Sequence, residues 1–143
     1  MANDNLNLDK QLCFPLYAAS NLIVKVYRPL LEPLGLTYSQ YLVMLVLWEK
    51  NCVSVGDLGR CLYLDSGTLT PLLKRMEKSG FIIRSRDAND ERRVLISLTQ
   101  QGLDIKNQAE EIPQKLSEQL NLFDIRELRD SMQSLVKILA KGV

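Results

Sequence analysis

The chain contains no histidine. That removes the usual general base of nucleophilic triads and the commonest metal-binding side chain. Cysteine is scarce: three residues, Cys13, Cys52 and Cys61, with no CxxC spacing among them. An odd number so spaced makes neither a disulfide framework nor a structural zinc site. Neither GxGxxG nor the GxxxxGK of a phosphate-binding loop occurs. No apolar run approaches the roughly 18 residues of a membrane span. The opening MANDNLNLDK is polar and lacks the apolar core of a secretion signal. These absences exclude a metal centre, a nucleotide cofactor and a membrane anchor from the expected properties, and point to the cytoplasm. No cofactor is expected.

What is present is a chain of 143 residues, 46% of them hydrophobic, enough for one domain with a real core. Its most informative stretch runs from Val53 to Thr99. Ser54 is a good N-cap, and Val55, Leu58 and Leu62 follow at helical spacing. Asp65-Ser66-Gly67 reads as a turn or cap. Leu69, Leu72, Leu73 and Met76 then fall at i, i+3, i+4 and i+7, and Gly80 stands where a helix-ending glycine belongs. Pro71 fits near the first turn of that helix or else kinks it. Residues 81–86 and 94–98 alternate as two half-buried strands, separated by the charged, turn-rich Asp87 to Arg93. Helix, turn, helix and hairpin in that order make a winged helix-turn-helix, a DNA-reading unit. The hairpin tip, with Arg92 and Arg93 adjacent, suits a minor groove or phosphates; its alternative is a solvated charged loop.

Charge is distributed to match. The chain's formal net charge is only +1, but Ser66 to Thr99 holds seven Lys or Arg against four Asp or Glu, and the remainder is net negative. A local positive patch is what a small DNA-reading motif needs. The candidate DNA contacts are Ser66, Thr68, Thr70, Lys74, Arg75, Arg84, Arg86, Arg92 and Arg93.

Helical segments flank the motif. Asp9 is expected to cap a helix reaching about Leu31, where Pro29 and Pro33 end it and Gly35 closes the turn. Leu12, Leu16, Ala19, Ile23, Val26 and Leu30 form a heptad-like seam on it. Thr37 caps a second helix to about Lys50 that is apolar nearly all round, hence central and buried. After Thr99 comes a helix carrying Leu103, Ile105, Ala109, Ile112 and Leu116, bent at Pro113, and then a last helix with Ile125, Leu128, Met132, Leu135 and Leu139. The fold class is therefore mainly α with a small β-hairpin wing (α+β). Residues 1–143 form one domain: 1–36 and 100–143 supply dimerisation helices, and 37–99 supply the DNA-binding region. The terminal seams exceed what one small domain uses, so a two-fold homodimer is expected; the alternative is packing on the chain's own core. Two motifs on a dyad read half-sites roughly 34–36 Å apart, which calls for a pseudo-palindromic double-stranded operator.

Cys13 is the residue of chemical interest. It stands in the first turns of a helix, where the helix dipole favours a thiolate. Tyr17 lies one turn on, on the same face. Tyr27 shares the face but lies about 21 Å along the axis, so it reaches Cys13 only from an antiparallel partner helix. Two phenols beside a thiolate would stabilise it and orient a peroxide. The alternative is an inert, buried cysteine. Cys52 and Cys61 read as structural.

The blocks Leu12-Cys13-Phe14, Leu16-Tyr17, Tyr27 to Leu31, Leu36-Thr37-Tyr38, Gln40-Tyr41-Leu42 and Tyr63 to Pro71 resemble those of the MarR-type organic hydroperoxide sensors, the OhrR repressors. Asp90-Glu91-Arg92 and Ile96 to Thr99 match as well, so the resemblance spans nearly the whole chain. It implies a homodimeric MarR-type repressor, not an enzyme, that leaves its operator when Cys13 is oxidised by an organic hydroperoxide to a sulfenic acid. It implies a sensor pocket of Tyr17, Tyr27 and Tyr38, the last two from the partner chain. It places the helix beginning near Ser66 in the major groove and Arg92 in the minor groove. Some members carry a second, resolving cysteine in the C-terminal helices, whereas residues 100–143 here hold none. A mixed disulfide with a small thiol is then the expected fate of oxidised Cys13, with over-oxidation or a link to Cys52 or Cys61 as alternatives. Pro15 also departs from the pattern, at the start of the helix. Two other readings stay open: a MarR-type repressor released by a small phenolic or aromatic ligand with Cys13 inert, and a thiol peroxidase.

Overall fold

The computed structural model describes residues 4–121 and 124–142. The ends of the N- and C-terminal dimerisation segments expected from the sequence, and residues 122 and 123, lie outside them. The elements are α1 (Cys13–Leu31), α2 (Tyr38–Lys50), β1 (Cys52–Ser54), α3 (Val55–Leu62), α4 (Ser66–Lys78), β2 (Ile82–Arg86), β3 (Val94–Leu98), α5 (Gln100–Asp104), α6 (Lys106–Ala109), α7 (Ile112–Gln119) and α8 (Ile125–Lys141). They divide into two compact units, Met1–Ala109 and Glu110–Val143.

Local chemistry explains most boundaries. Thr37 caps α2 as a full capping box: its hydroxyl accepts from the Gln40 backbone, and the Gln40 side chain accepts from the Thr37 N–H. Ser54 caps α3 by accepting from Asp57 N–H, and Asp65 caps α4 by accepting from Thr68 N–H. Thr99 caps α5 and also donates to the Gly80 carbonyl, tying the end of the sheet to the end of α4. Gly80 itself has φ of 89°, a left-handed turn that a Cβ would resist.

Four expectations are corrected. Asp9 does not cap α1; it sits in a single 3-10 turn, Leu8–Lys10, and α1 begins at Cys13 with no side-chain cap. A helix begun near Lys10 would forfeit the bond from residue 15 to the Gln11 carbonyl, because proline has no hydrogen to give; α4 bears the same loss at Pro71, so Pro15 favours the later start without dictating it. As the third residue of α1, Pro15 forfeits nothing, because first-turn N–H groups have no intrahelical partner. Pro29 does not end α1, which runs two residues further to the buried Leu31. The wing is part of a three-stranded antiparallel sheet of order β1-β3-β2, not a lone hairpin. Cys52, Val53 and Ser54 pair with Ser97, Ile96 and Leu95, in a strand too short to show a period in sequence. The helix after Thr99 is broken into α5, α6 and α7 rather than bent. Pro113 lies at the start of α7, where it cannot donate to Ala109. Pro71 lies in the second turn of α4 and is exposed.

The core of the first unit is built by Val43, Met44 and Leu47 of α2, Leu58 of α3, the inner face of α4, and Ile82 and Ile96 of the sheet. Only one face of α2 is this deeply buried; Leu45 is exposed. The Trp48 indole donates to the Gly102 carbonyl at 2.9 Å, anchoring α5 to α2. In contrast, α1 buries only Leu31 and α8 buries nothing. Leu12, Leu22, Leu128, Ile138 and Leu139 are all more than 40% exposed.

The close approach of α3 to the turn that follows it depends on Gly59. A Cβ there would stand 2.6 Å from the Leu64 carbonyl oxygen and 3.3 Å from Leu69 Cδ1. Gly59→Ala is therefore expected to destabilise the fold by about 1–3 kcal/mol, the range for overpacking. Thermal unfolding checks this, and a melting temperature equal to wild type would contradict it.

Candidate DNA interface and thiol site

The second helix of the motif, α4, buries Leu69, Leu72, Leu73 and Met76 and presents Ser66, Thr68, Lys74 and Arg75 to solvent. Thr70 is half-buried at the edge. Lys74, Arg75 and Lys78 make no ion pair among the described residues, so their charge is available to an anion. Between α3, α4 and the wing lies a groove of about 540 Å³. Arg60, Arg84, Arg92 and Arg93 line it together with Ser54 and Thr70, and no carboxylate does. A concave surface lined by arginines, beside a helix that presents Lys74 and Arg75, is suited to a polyanion.

The four wing arginines expected to meet DNA have different roles. Arg92 stands far out: 91% of its side chain is open, held by Nε and backbone bonds to Asp90 Oδ1 at 3.2 and 3.1 Å. Those two bonds hold the Asp90 carboxyl below its ordinary range. Arg93 instead bridges elements. It pairs with Asp87 in the hairpin at 3.2 Å and with Asp57 of α3 at 3.9 Å, clamping the wing to the helix pair. Arg84 is committed to Glu77 of α4, at 3.1 Å from Nε and 3.0 Å from its backbone N–H. Its backbone bond is the main cause of the depressed Glu77 carboxyl. Arg86 donates to the Glu91 carbonyl at 2.8 Å and shapes the tip. Arg84 and Arg86 therefore position the wing, and Arg92 is the side chain it offers outward.

The sequence reading missed Asp57 and Arg60. Asp57 hydrogen-bonds Arg60, the largest cause of its lowered pKa, and faces Arg93. The Asp57–Arg60 pair is an i, i+3 spacing that could have been noticed, but its meeting with Arg93 could not.

Cys13 is the first residue of α1 and is exposed, with Tyr17 one turn along and also exposed. Tyr27 lies near the other end of the same helix. There the structure brings three phenols together: Tyr27 and Tyr38 with ring centroids 5.2 Å apart, and Tyr27 and Tyr41 at 5.7 Å. Tyr41 also meets Trp48 edge-on at 6.4 Å. Burial first, then repulsion from Tyr41 and Tyr38, pushes the Tyr27 phenol from 10.0 up to about 12. It is thus a neutral hydrogen-bond donor throughout the physiological range. Tyr41, a core residue 4% exposed, was not singled out from sequence; its i+3 spacing from Tyr38 was the available signal. Within one chain the thiol and Tyr17 stand apart from Tyr27 and Tyr38. No group of three or more acidic or cysteine side chains that could hold a metal occurs among the described residues. No single described helix is long and apolar enough to cross a membrane.

Residues 25–112 match the model of the transcriptional regulator family SarA/Rot. The chain is 48% identical over 139 residues to the organic hydroperoxide resistance transcriptional regulator of Bacillus subtilis, covering 95% of this chain and 94% of that one. Among solved structures it is similar to reduced AbfR bound to DNA, a Staphylococcus epidermidis protein, with a TM-score of 0.79, 37% identity, and coverage of 96% of this chain and 99% of that one. The disulfide form of AbfR matches at a TM-score of 0.68 and 38% identity, over 93% and 95% of the two chains.

If Arg92 is the outward contact of the wing, Arg92→Ala weakens binding to operator and non-operator duplexes alike. It also lowers the slope of log K against log salt by about 1 per half-site. Anisotropy titrations at several salt concentrations check this, and an unchanged slope and affinity would contradict it.

Proposed function

The chain belongs to the SarA/Rot family of transcriptional regulators, with the MarR-type winged-helix fold, and from that premise we infer that it is a DNA-binding repressor released from its operator by organic hydroperoxides through Cys13. The observation that carries this reading is the pairing, in one chain, of a cationic reading surface with an exposed cysteine at the first residue of a long helix whose apolar face is unburied. The relative from Bacillus subtilis is named for organic hydroperoxide resistance, and AbfR has been solved reduced on DNA and in a disulfide form. Both names fit a thiol that changes state.

The working unit is a homodimer in the cytoplasm. Its interface uses the exposed faces of α1 and α8, which leave Leu12, Leu22, Leu128, Ile138 and Leu139 in water in the single chain. In an antiparallel pairing of α1 helices, Tyr27 and Tyr38 of the partner approach Cys13 and Tyr17. Tyr27, kept neutral, donates to the peroxide. The Cys13 thiolate attacks one peroxide oxygen, the O–O bond breaks, an alcohol leaves with a proton, and a sulfenic acid forms. With no cysteine in residues 100–143, a small thiol then condenses with it and water leaves. Oxidation acts on DNA affinity only by as much as it favours the incompetent spacing of the two reading helices. A polar adduct beside the dimer seam supplies that bias. This is a stoichiometric event rather than turnover, in keeping with a regulator and not an enzyme.

The test is fluorescence anisotropy on a duplex from the protein's own upstream region. Cumene hydroperoxide with a small thiol should release wild-type protein at least tenfold, with reversal by a reductant. Cys13→Ser should bind equally well and stay bound. Release of both proteins would move the switch elsewhere.

A further inference from the structure

Cys52 and Cys61 take no part in the site just described, yet the fold sets them on one surface. Both are exposed. Both line a hollow of about 420 Å³ that also includes Lys50, Asp57, Arg60 and Arg93. Asn51 brings this about: it takes a left-handed φ of 64° at the end of α2, so the chain turns at once into β1 and delivers Cys52 beside α3. Such a backbone is unusual for a residue with a Cβ. The Lys50 ammonium lies 3.6 Å from Cys61 Sγ. A charged donor on one sulfur and not the other makes the pair asymmetric, with Cys61 placed as nucleophile and Cys52 as its resolving partner.

We propose that Cys61 and Cys52, joined by one hollow and served by Lys50, form a second redox site that closes to an intrachain disulfide when an organic hydroperoxide oxidises Cys61. The oxidant is the one the preceding reading names; the pair itself does not involve Cys13. Cys61 sulfur, as the thiolate, attacks a peroxide oxygen. The S–O bond forms, the O–O bond breaks, and an alcohol leaves with a proton. Cys52 sulfur then attacks Cys61 sulfur, the S–O bond breaks, water leaves and the disulfide remains. Two electrons pass from the two thiols to one hydroperoxide. The bond holds the two Cα atoms about 4.4–6.8 Å apart and so pins the last turn of α3 to β1. It sits next to the Asp57–Arg93 clamp between the helix pair and the wing.

Trypsin cleaves after Lys50, Arg60 and Lys74, so Cys52 and Cys61 fall on separate peptides, residues 51–60 and 61–74. Full-length Cys13→Ser protein, treated with cumene hydroperoxide, quenched with N-ethylmaleimide and digested without reductant, should yield these two peptides joined, lighter by two hydrogens than their sum. A reductant should separate them. Lys50→Ala in the same background, in which loss of the Lys50 cleavage extends the Cys52 peptide to residues 26–60, should slow the joining several-fold, and Cys61→Ser should leave Cys52 alkylated. Recovery of both peptides alkylated from Cys13→Ser, after a dose that fully oxidises Cys13 in wild type, overturns the proposal and leaves the Cys13 reading intact. So does oxidation of either cysteine to a sulfinic acid without a link. Loss of Cys13 reactivity in wild type, with the joined peptides still present, overturns the Cys13 reading alone.

Discussion

Leu69, Leu73 and Met76 hold one side of α4 at 0, 1 and 0% exposure. Each such side chain contributes about 1.5–3 kcal/mol on burial, so the rotation of α4 about its axis is settled by packing and not by its polar face. Ser66, Thr68, Lys74 and Arg75 face solvent because the other side is committed to α2, α3 and the sheet. The wing is held to that helix by Glu77–Arg84 and to α3 by Asp57–Arg93. These partly exposed pairs add little stability each. Their consequence is geometric, since they give the groove its walls and leave Arg92 as the extended side chain at the rim.

The same distinction separates what the sequence disclosed from what it concealed. Thr37, Ser54, Asp65 and Thr99 cap their helices because a short polar side chain before an apolar period can satisfy the first N–H groups in only one way. The buried face of α4 was legible for a similar reason: four apolar residues at 3.6 spacing define a side. Asp9 misled because its capping chemistry was sound, while a start at Cys13 puts Pro15 in the first turn, where its missing N–H costs nothing. β1 escaped because three residues show no period. Pro113 signals an interruption of the segment after Thr99, but the helix breaks before it, at residues 110–111, and also at Ile105, which no proline marks. The arginines of the wing are identified by charge alone, and charge does not reveal that Arg84 has its carboxylate partner on α4 and Arg93 one on α3.

The thiol and its phenols illustrate a further limit. Helical geometry alone separates Cys13 from Tyr27 by about 21 Å, and the fold gathers Tyr27, Tyr38 and Tyr41 at the far end of α1. In a single chain the thiol and the phenols stand at opposite ends of α1. In the homodimer proposed above, a second copy covers the exposed faces of α1 and α8 and brings the thiol and the phenols together. In that proposed dimer, burial of those faces and assembly of the thiol site are the same event, so a change of a few atoms at Cys13 would reach the spacing of the two reading helices.

The central claim, that the thiol of one protomer and the phenols of its partner make one site, is tested most directly in mixed dimers of Cys13→Ser and Tyr27→Phe subunits. The rate of Cys13 sulfenate formation is followed with a dimedone probe, and the Tyr27→Phe homodimer provides the slowed reference. The Cys13 that remains in the mixed dimer belongs to the Tyr27→Phe subunit and faces the intact Tyr27 of its partner. The account predicts that it reacts at the wild-type rate. Reaction at the slow rate of the Tyr27→Phe homodimer would contradict it.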